Sequence, residues 1–291
     1  MRPYTKNGKL HIPAWCVEDT PLPLRETTEG DDTLTGIPAR CEGDLVVTID
    51  EDEHICTGLE YEDYRKLRRM TYFACNWYPR LIEQAIPTIS SKLIRTSMLD
   101  LREDLRDHFT GEAQLSMNDL EAEGLAPRWF VRLCGSSPKD MIDVPIYSNP
   151  DKACDDLMRS QRTLKIMTNY SHDNKFHLFL RDVVDIDYEC RCFIHEHRLR
   201  AVSVYQFITP EQRKEFEVMI LDFMEEYQDR LPYNSCVMEL GMEEGGFPFV
   251  VEFNSFGIDG FADASLFDWD RECSILYHST APEFRYPHLL V

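Results

Sequence analysis

Glu239, Glu252 and Asn254 carry the spacing best suited to chemistry in this chain. They lie in two apolar runs, "SCVMEL" (235–240) and "FPFVVEFN" (247–254), separated by the polar turn "GMEEGG". That pattern predicts a β-hairpin centred on Gly245 and Gly246. Strand side chains alternate faces, so Val250, Glu252 and Asn254 are expected on one face and Phe249, Val251 and Phe253 on the other. A hairpin symmetric about the two glycines sets Glu239 opposite Glu252. Cross-strand Cβ atoms there are about 5 Å apart, and like charges repel. A cation between them would relieve the repulsion. Two carboxylates and an amide oxygen are hard donors suited to Mg²⁺, which binds through one or two carboxylates and the phosphates of its substrate. The alternative is a solvated strand face with both glutamates in water.

A phosphate-binding side would complete such a site. "RLCGSSPKD" (132–140) offers Arg132 at a strand end, a Gly-Ser-Ser loop and Lys139. Backbone amides of such a loop can cradle an anion, although any surface turn can hold the same residues. Arg181 in "FLRD" and Arg191 in "ECRCF" are cations among apolar neighbours. Arg191 shares a strand face with Glu189, so an internal ion pair competes with a ligand role. Cys190 and Cys192 share the opposite face. With His195 and His197 nearby a zinc site is conceivable, but "HEHR" reads as a hairpin turn.

These residues need elements to hold them. The "DLVVTID" run (44–50) predicts a strand, and residues 1–43 read as extended and loosely held. A helical stretch from "YEDYRKLRRM" onward is expected to break at Pro79. "IPTISSKLIR" reads as extended, "LDLREDLRDHF" as a short helix, and "RWFVRL" and "FHLFLRDVVDI" as strands. "NPDKACDDLMRSQRTLKIM" predicts one helix capped by Asn149 with Pro150 at its first position. "YECRCFIHEHRLRAVSVYQF" reads as a second hairpin. The clearest helix starts at Thr209, with Pro210 first and Gln212 completing a capping box. Phe216, Met219, Ile220, Phe223, Met224 and Tyr227 then recur at the helical period. The mixture without a strict alternation predicts α+β.

The 291 residues suffice for a large core in one domain or two lobes. A net charge of −21 repels phosphate backbones and anionic lipid, so nucleic acid and membrane partners are not expected. A basic protein surface or a metal-bridged anion fits better. "MRPYTKNGKLHIPAW" has no apolar core resembling a signal peptide, and the ten cysteines show no C-x-x-C pair. Thiols in a reducing cytoplasm are therefore expected.

The motifs occur in a recognisable order: "CNWYPRL…IPTISSKLI", "FVRLCGSSPKD", "LFLRDV", "ECRCFIHEHRLRAVS", "VMEL" and "VVEFNSFG…DASLFDWD". Between about residues 72 and 275 the chain resembles the cell division cycle protein 123 family. That resemblance implies an ATP-grasp-like fold, two α+β lobes clasping ATP between antiparallel sheets, with Mg²⁺ bridging its phosphates to acidic strands. It implies an acidic N-terminal extension (1–70), a first lobe (71–177) and a second lobe with the metal site (178–291). By position, Arg132, Ser136, Ser137, Lys139 and Asp140 match the family's phosphate-side residues. Leu180, Arg181, Asp182 and Val183 fall in the segment near the adenine, and Glu189 and Arg191 match an E-x-R pair. Glu239, Glu252 and Asn254 match the metal ligands. The family has Asp where this chain has Glu239 and Glu252, Lys where it has Asp182, and Pro where it has Ser255. "SVYQF" (203–207) replaces the family's S-Q-R-D.

The resemblance implies a cytoplasmic assembly chaperone that binds the gamma subunit of the heterotrimeric translation initiation factor two. An ATP-grasp ligase or phosphotransferase is the enzyme alternative, but no nucleophile or general base stands out, His172, His177, His195 and His197 included. A fold that has lost ATP is the third reading, and the intact Glu-Glu-Asn set argues against it.

Overall fold

The computed structural model describes residues 4–6, 9–13, 48–49, 54–57, 61–109, 128–169, 174–257 and 262–287. The first elements are β1 (Tyr4–Lys6), β2 (Lys9–Pro13), β3 (Thr48–Ile49), β4 (His54–Thr57), α1 (Tyr61–Thr71), α2 (Ala74–Glu83) and β5 (Ser91–Ser97). A helix α3 over 101–109 follows, then β6 (Trp129–Leu133), β7 (Ile146–Tyr147), α4 (Pro150–Arg159), α5 (Gln161–Asn169) and β8 (Lys175–Asp182). The remainder is β9 (Tyr188–His195), β10 (Arg198–Val204), α6 (Pro210–Tyr227), β11 (Cys236–Met242), β12 (Phe249–Ser255), α7 (Cys273–His278) and β13 (Glu283–Arg285).

The chain divides into two compact units. One comprises Met1–Tyr72, Arg80–Pro87 and Ile186–Val291, and the other Phe73–Pro79 and Thr88–Asp185. The division after Asp185 leaves β8 whole, whereas a boundary at 177 would cut that strand.

The first unit is built on a five-stranded sheet of order β12-β11-β9-β10-β13. Every pairing in it is antiparallel except β10 with β13. Both expected hairpins form. Glu196 and His197 take positive φ in the β9–β10 turn, and Gly245 takes φ 71° in the β11–β12 turn, which only glycine adopts without strain. One face of the sheet carries a cluster of Phe193, Val237, Phe256, Phe267 and Tyr277 with Trp269 against it. The rings of Phe256 and Trp269 meet edge-to-face at 4.9 Å. Such pairs add about 0.5–1.5 kcal/mol beyond the area they bury.

The capping box of α6 is present, and Phe216, Ile220, Phe223, Met224 and Tyr227 are buried as the period predicts. Met219, at the stripe's margin, is half-buried. Helix α1 is tied to this unit where Tyr233 Oη donates to the Thr71 carbonyl and Tyr72 Oη to the Ser235 carbonyl. A separate sheet of order β1-β2-β4-β3 lies near the N-terminus. The 1–43 stretch is thus not simply extended: Tyr4–Lys6 pairs with Lys9–Pro13. In the expected 44–50 strand only Thr48–Ile49 is strand, and the rest lies outside the described residues.

The second unit holds an antiparallel sheet of order β5-β8-β6-β7. Two helix expectations need correction here. The helical break falls at residues 72–73, and Pro79 sits inside α2, whose ladder lacks that one donor. The single helix expected after Asn149 is two. Asn149 caps α4, but Ser160 turns extended and its hydroxyl accepts from the Thr163 amide, starting α5 afresh.

Candidate functional site

The β11–β12 ladder has the expected register: Glu239 stands opposite Glu252, and Val237 opposite Asn254. The next rung shifts, pairing Leu240 with Val250 and leaving Val251 as a bulge. Val250 therefore leaves the Glu252 face expected for it and is fully buried with Leu240. The bulge ends the regular ladder directly beside the two glutamates.

On its other side Glu239 stands opposite Arg191 of β9. Arg191 Nη2 donates to Glu239 Oε1 at 2.5 Å, with both side chains only 11% exposed. Arg191 Nη1 also reaches Asp263, at 2.7 Å to its carboxylate and 2.9 Å to its carbonyl. The ion pair expected within β9, between Arg191 and Glu189, is thus replaced by pairs to Glu239 and Asp263. Arg191 lies 5.6 Å from the centre of the Tyr205 ring, while its Nε is buried with no hydrogen-bond partner. Asn254 Nδ2 donates to Glu252 Oε1 at 3.0 Å, which aligns the amide with the carboxylate.

Burial, followed by the charge of Glu252, lifts the Glu239 carboxyl to about 7, with Arg191 opposing both. The two carboxylates are therefore close enough to repel. Among the described residues no group of three or more His, Cys, Asp or Glu could hold a metal ion. The donor set is two carboxylates and one amide. It would fit a hard cation that takes its further oxygens from the phosphates of a ligand, as Mg²⁺ does.

The zinc reading of β9 fails. His195 is buried, stacks on Phe256 at 5.1 Å, and shares a hydrogen bond with Ser235 Oγ at 3.0 Å. Burial, then the Arg200 charge, drops its pKa to about 4, so the ring is neutral. His197 belongs to the turn, and Cys190 and Cys192 are buried thiols with sulfurs 3.9 Å apart. His172 lies outside the described residues.

The phosphate-side residues belong to the second unit. Arg132 on β6 is half-buried and stands opposite Phe179 of β8. The loop after it is a tight turn in which Leu133 and Ser136 exchange backbone hydrogen bonds of 2.9 and 3.2 Å. A Cβ at Gly135 would overlap the Phe73 ring, so a larger residue there must displace that ring. Ser136 and Ser137 are buried, and Lys139 is exposed. Asp140 ties the loop to the helices behind it. Its carboxylate accepts from the Ser160 hydroxyl and, at 2.8 Å, from the Gln161 amide at the start of α5. These bonds outweigh desolvation and hold its pKa below the ordinary value.

On β8, Leu180 and Arg181 are buried, Asp182 is exposed, and Val183 is half-buried just past the strand end. Arg181 donates to Ser91 Oγ at 3.3 Å and lies 5.3 Å from the Phe179 ring centre. The expected residues thus form two sets. Glu189, Arg191, Glu239, Glu252 and Asn254 belong to the first unit, the others to the second. Asp263 and Tyr205 are not legible as site residues in the sequence. "DASLFDWD" and "SVYQF" stand out there, but nothing local pairs them with Arg191.

The family model D123 matches residues 146–288. A putative CDC123-like protein L884 of Acanthamoeba polyphaga mimivirus is 29% identical over 254 residues, covering 78% of each chain. Together these likenesses support a divergent member of the cell division cycle protein 123 family. Among solved structures, Cdc123 from Schizosaccharomyces pombe matches with a TM-score of 0.56 at 19% identity, over 75% of this chain and 95% of that one. The α+β class expected from the sequence is the class found, with the fold seen in Cdc123. The matched span carries the whole carboxylate-rich face of the first unit, from Glu189 to Asn254. No described helix is long and apolar enough to cross a membrane.

Proposed function

We propose that this chain is an ATP- and Mg²⁺-binding assembly chaperone for the gamma subunit of translation initiation factor two, acting in the cytoplasm. The match to the D123 family model and the likeness to a CDC123-like relative support a Cdc123-like role with a protein partner. The observation that carries the nucleotide reading is the opposed pair Glu239 and Glu252 with Asn254 on the same face. In this reading those three residues hold Mg²⁺, and Arg191 orients Glu239. Bound Mg²⁺ would neutralise phosphate charge. Arg132, Ser136, Ser137, Lys139, Leu180, Arg181, Asp182, Val183 and Glu189 are the proposed nucleotide contacts, and Asp140 fixes the loop that carries several of them. An acidic surface suits docking to a basic partner, since charge complementarity speeds encounter and selects against wrong partners.

Calorimetric titration with ATP, with and without Mg²⁺, tests the site. Glu252→Gln combined with Asn254→Ala should abolish Mg²⁺-dependent ATP binding while circular dichroism stays unchanged. Unchanged affinity in that variant overturns the assignment. The partner is tested separately: the purified chain should retain the gamma subunit in a pull-down, and failure to do so rejects the chaperone reading.

A further inference from the structure

A cavity of about 540 Å³ opens in the first unit, lined by Arg213, Leu266, Phe284, Arg285 and Tyr286. That volume is in the range of small-molecule sites. None of the five residues is a proposed nucleotide or metal contact. The cavity lies by β13, the last strand of the five-stranded sheet, and β9 and β10 stand between β13 and the strand of Glu239.

The two arginines of the lining are in different states. Arg285 is fully engaged. Its Nε donates to Glu283 at 2.8 Å, and its Nη1 to the Leu266 carbonyl at 2.9 Å and to Glu272 at 2.8 Å. Its Nη2 reaches Glu272 at 2.6 Å and Glu283 at 2.8 Å. These bonds use all five N–H donors of a guanidinium. Arg285 also lies 4.0 Å from the centre of the Phe267 ring, so it serves as a wall.

Arg213 is held in place but not used up. It sits in the first turn of α6, where its Nε donates to the Ile208 carbonyl at 3.3 Å. Its guanidinium lies 4.5 Å from the centre of the Tyr286 ring, and the Tyr286 hydroxyl is fixed by donating to Glu217 at 2.8 Å. These contacts engage Nε and one face of the guanidinium plane. Among the described residues the Nη edge has no acceptor, and no carboxylate lies within ion-pair distance of it. That edge presents N–H donors in the geometry that matches a carboxylate.

We infer that this cavity binds a small monocarboxylate with an apolar body, its carboxylate on Arg213 and its apolar part against Leu266 and Phe284. Leu266 is 38% exposed and Phe284 half-buried, so a ligand that covers them removes apolar surface from water. The charge of the ligand follows from the surroundings. Arg213 alone is unmatched, while Glu217, Glu272 and Glu283 stand around the cavity and the chain carries a net charge of −21. One negative charge is answered there, and a dianionic phosphate would meet repulsion.

Phenylbutyrate is the probe, with phenylbutanamide as its neutral counterpart and phenylpropyl phosphate as the dianion. Saturation-transfer NMR titration of the full chain should show saturable binding of the acid. The amide should bind about 10- to 100-fold more weakly, because a charge-assisted pair is lost, and the phosphate more weakly than the acid. Arg213→Gln should bring the acid down to the level of the amide and leave the amide unchanged, with an unaltered circular dichroism spectrum. Leu266→Glu, at an exposed wall position, provides a second variant and should weaken the acid more than the amide. Glu252→Gln with Asn254→Ala should leave the acid bound as before, and loss there would overturn the assignment of a separate site. No saturation up to about 10 mM acid, equal binding of acid and amide, tighter binding of the phosphate, or an acid affinity unmoved by Arg213→Gln overturns the inference.

Discussion

Replacing Glu239 with Gln tests the electrostatics of the first unit most directly. Glu239 is buried between Arg191 and Glu252, and its carboxyl is lifted from the ordinary 4.5 to about 7. For an acid whose folded pKa is raised, the favourable contribution is complete below the unfolded pKa. It disappears as pH rises through the folded value, because the unfolded chain ionises first. A shift of that size makes the protein lose roughly 2–3 kcal/mol between pH 5 and pH 8 through this group alone. Gln keeps the shape, and its carbonyl can still accept from Arg191, but it does not titrate. Urea denaturation of both proteins at pH 5, 6, 7 and 8 reads the effect of Glu239 with its partners Glu252 and Arg191, since groups away from it cancel in the difference. The stability of Glu239→Gln relative to the original should rise by roughly 2–3 kcal/mol across that range, most of it below pH 7.5. A difference that is flat with pH would mean that Glu239 is ionised throughout, and the repulsion argument would be wrong.

Two further outcomes follow from the same contacts. Arg191→Met removes the cation that Glu239 and Asp263 share. It should cost about 3–5 kcal/mol at pH 8, as for a buried pair broken on one side, and clearly less at pH 5, where Glu239 takes up a proton. Equal losses at both values would show that Arg191 acts by packing alone. Gly135→Ala places a methyl group against the Phe73 ring and should lower stability by about 1–3 kcal/mol, with Phe73→Leu restoring part of it in thermal melts. A melting temperature unchanged by Gly135→Ala would show that the loop yields freely.

Local chemistry makes much of this protein readable. The capping box at Thr209 and Gln212, the stripe from Phe216 to Tyr227 and the glycine turn at 245–246 all act within a few residues, so their consequences are visible in order along the chain. The turn alone does not set the Glu239–Glu252 pair: the rungs next to it join Gly241 to Phe249 and Leu240 to Val250, and the bulge at Val251 then brings Glu239 opposite Glu252. Short-range reading fails where a distant group intervenes. Ser160 breaks a continuous helical pattern with help from Asp140, twenty residues away. The bulge at Val251 moves Val250 to the core face, which strict alternation cannot anticipate.

The α+β class, the hairpins and the acidic pair are all present in the order of the residues, because periodicity and turn chemistry are properties of neighbours. Which charge answers Glu239 is settled in three dimensions. Along its own strand Arg191 faces Glu189, but sheet order places β9 beside β11 and brings in Asp263 across 72 positions.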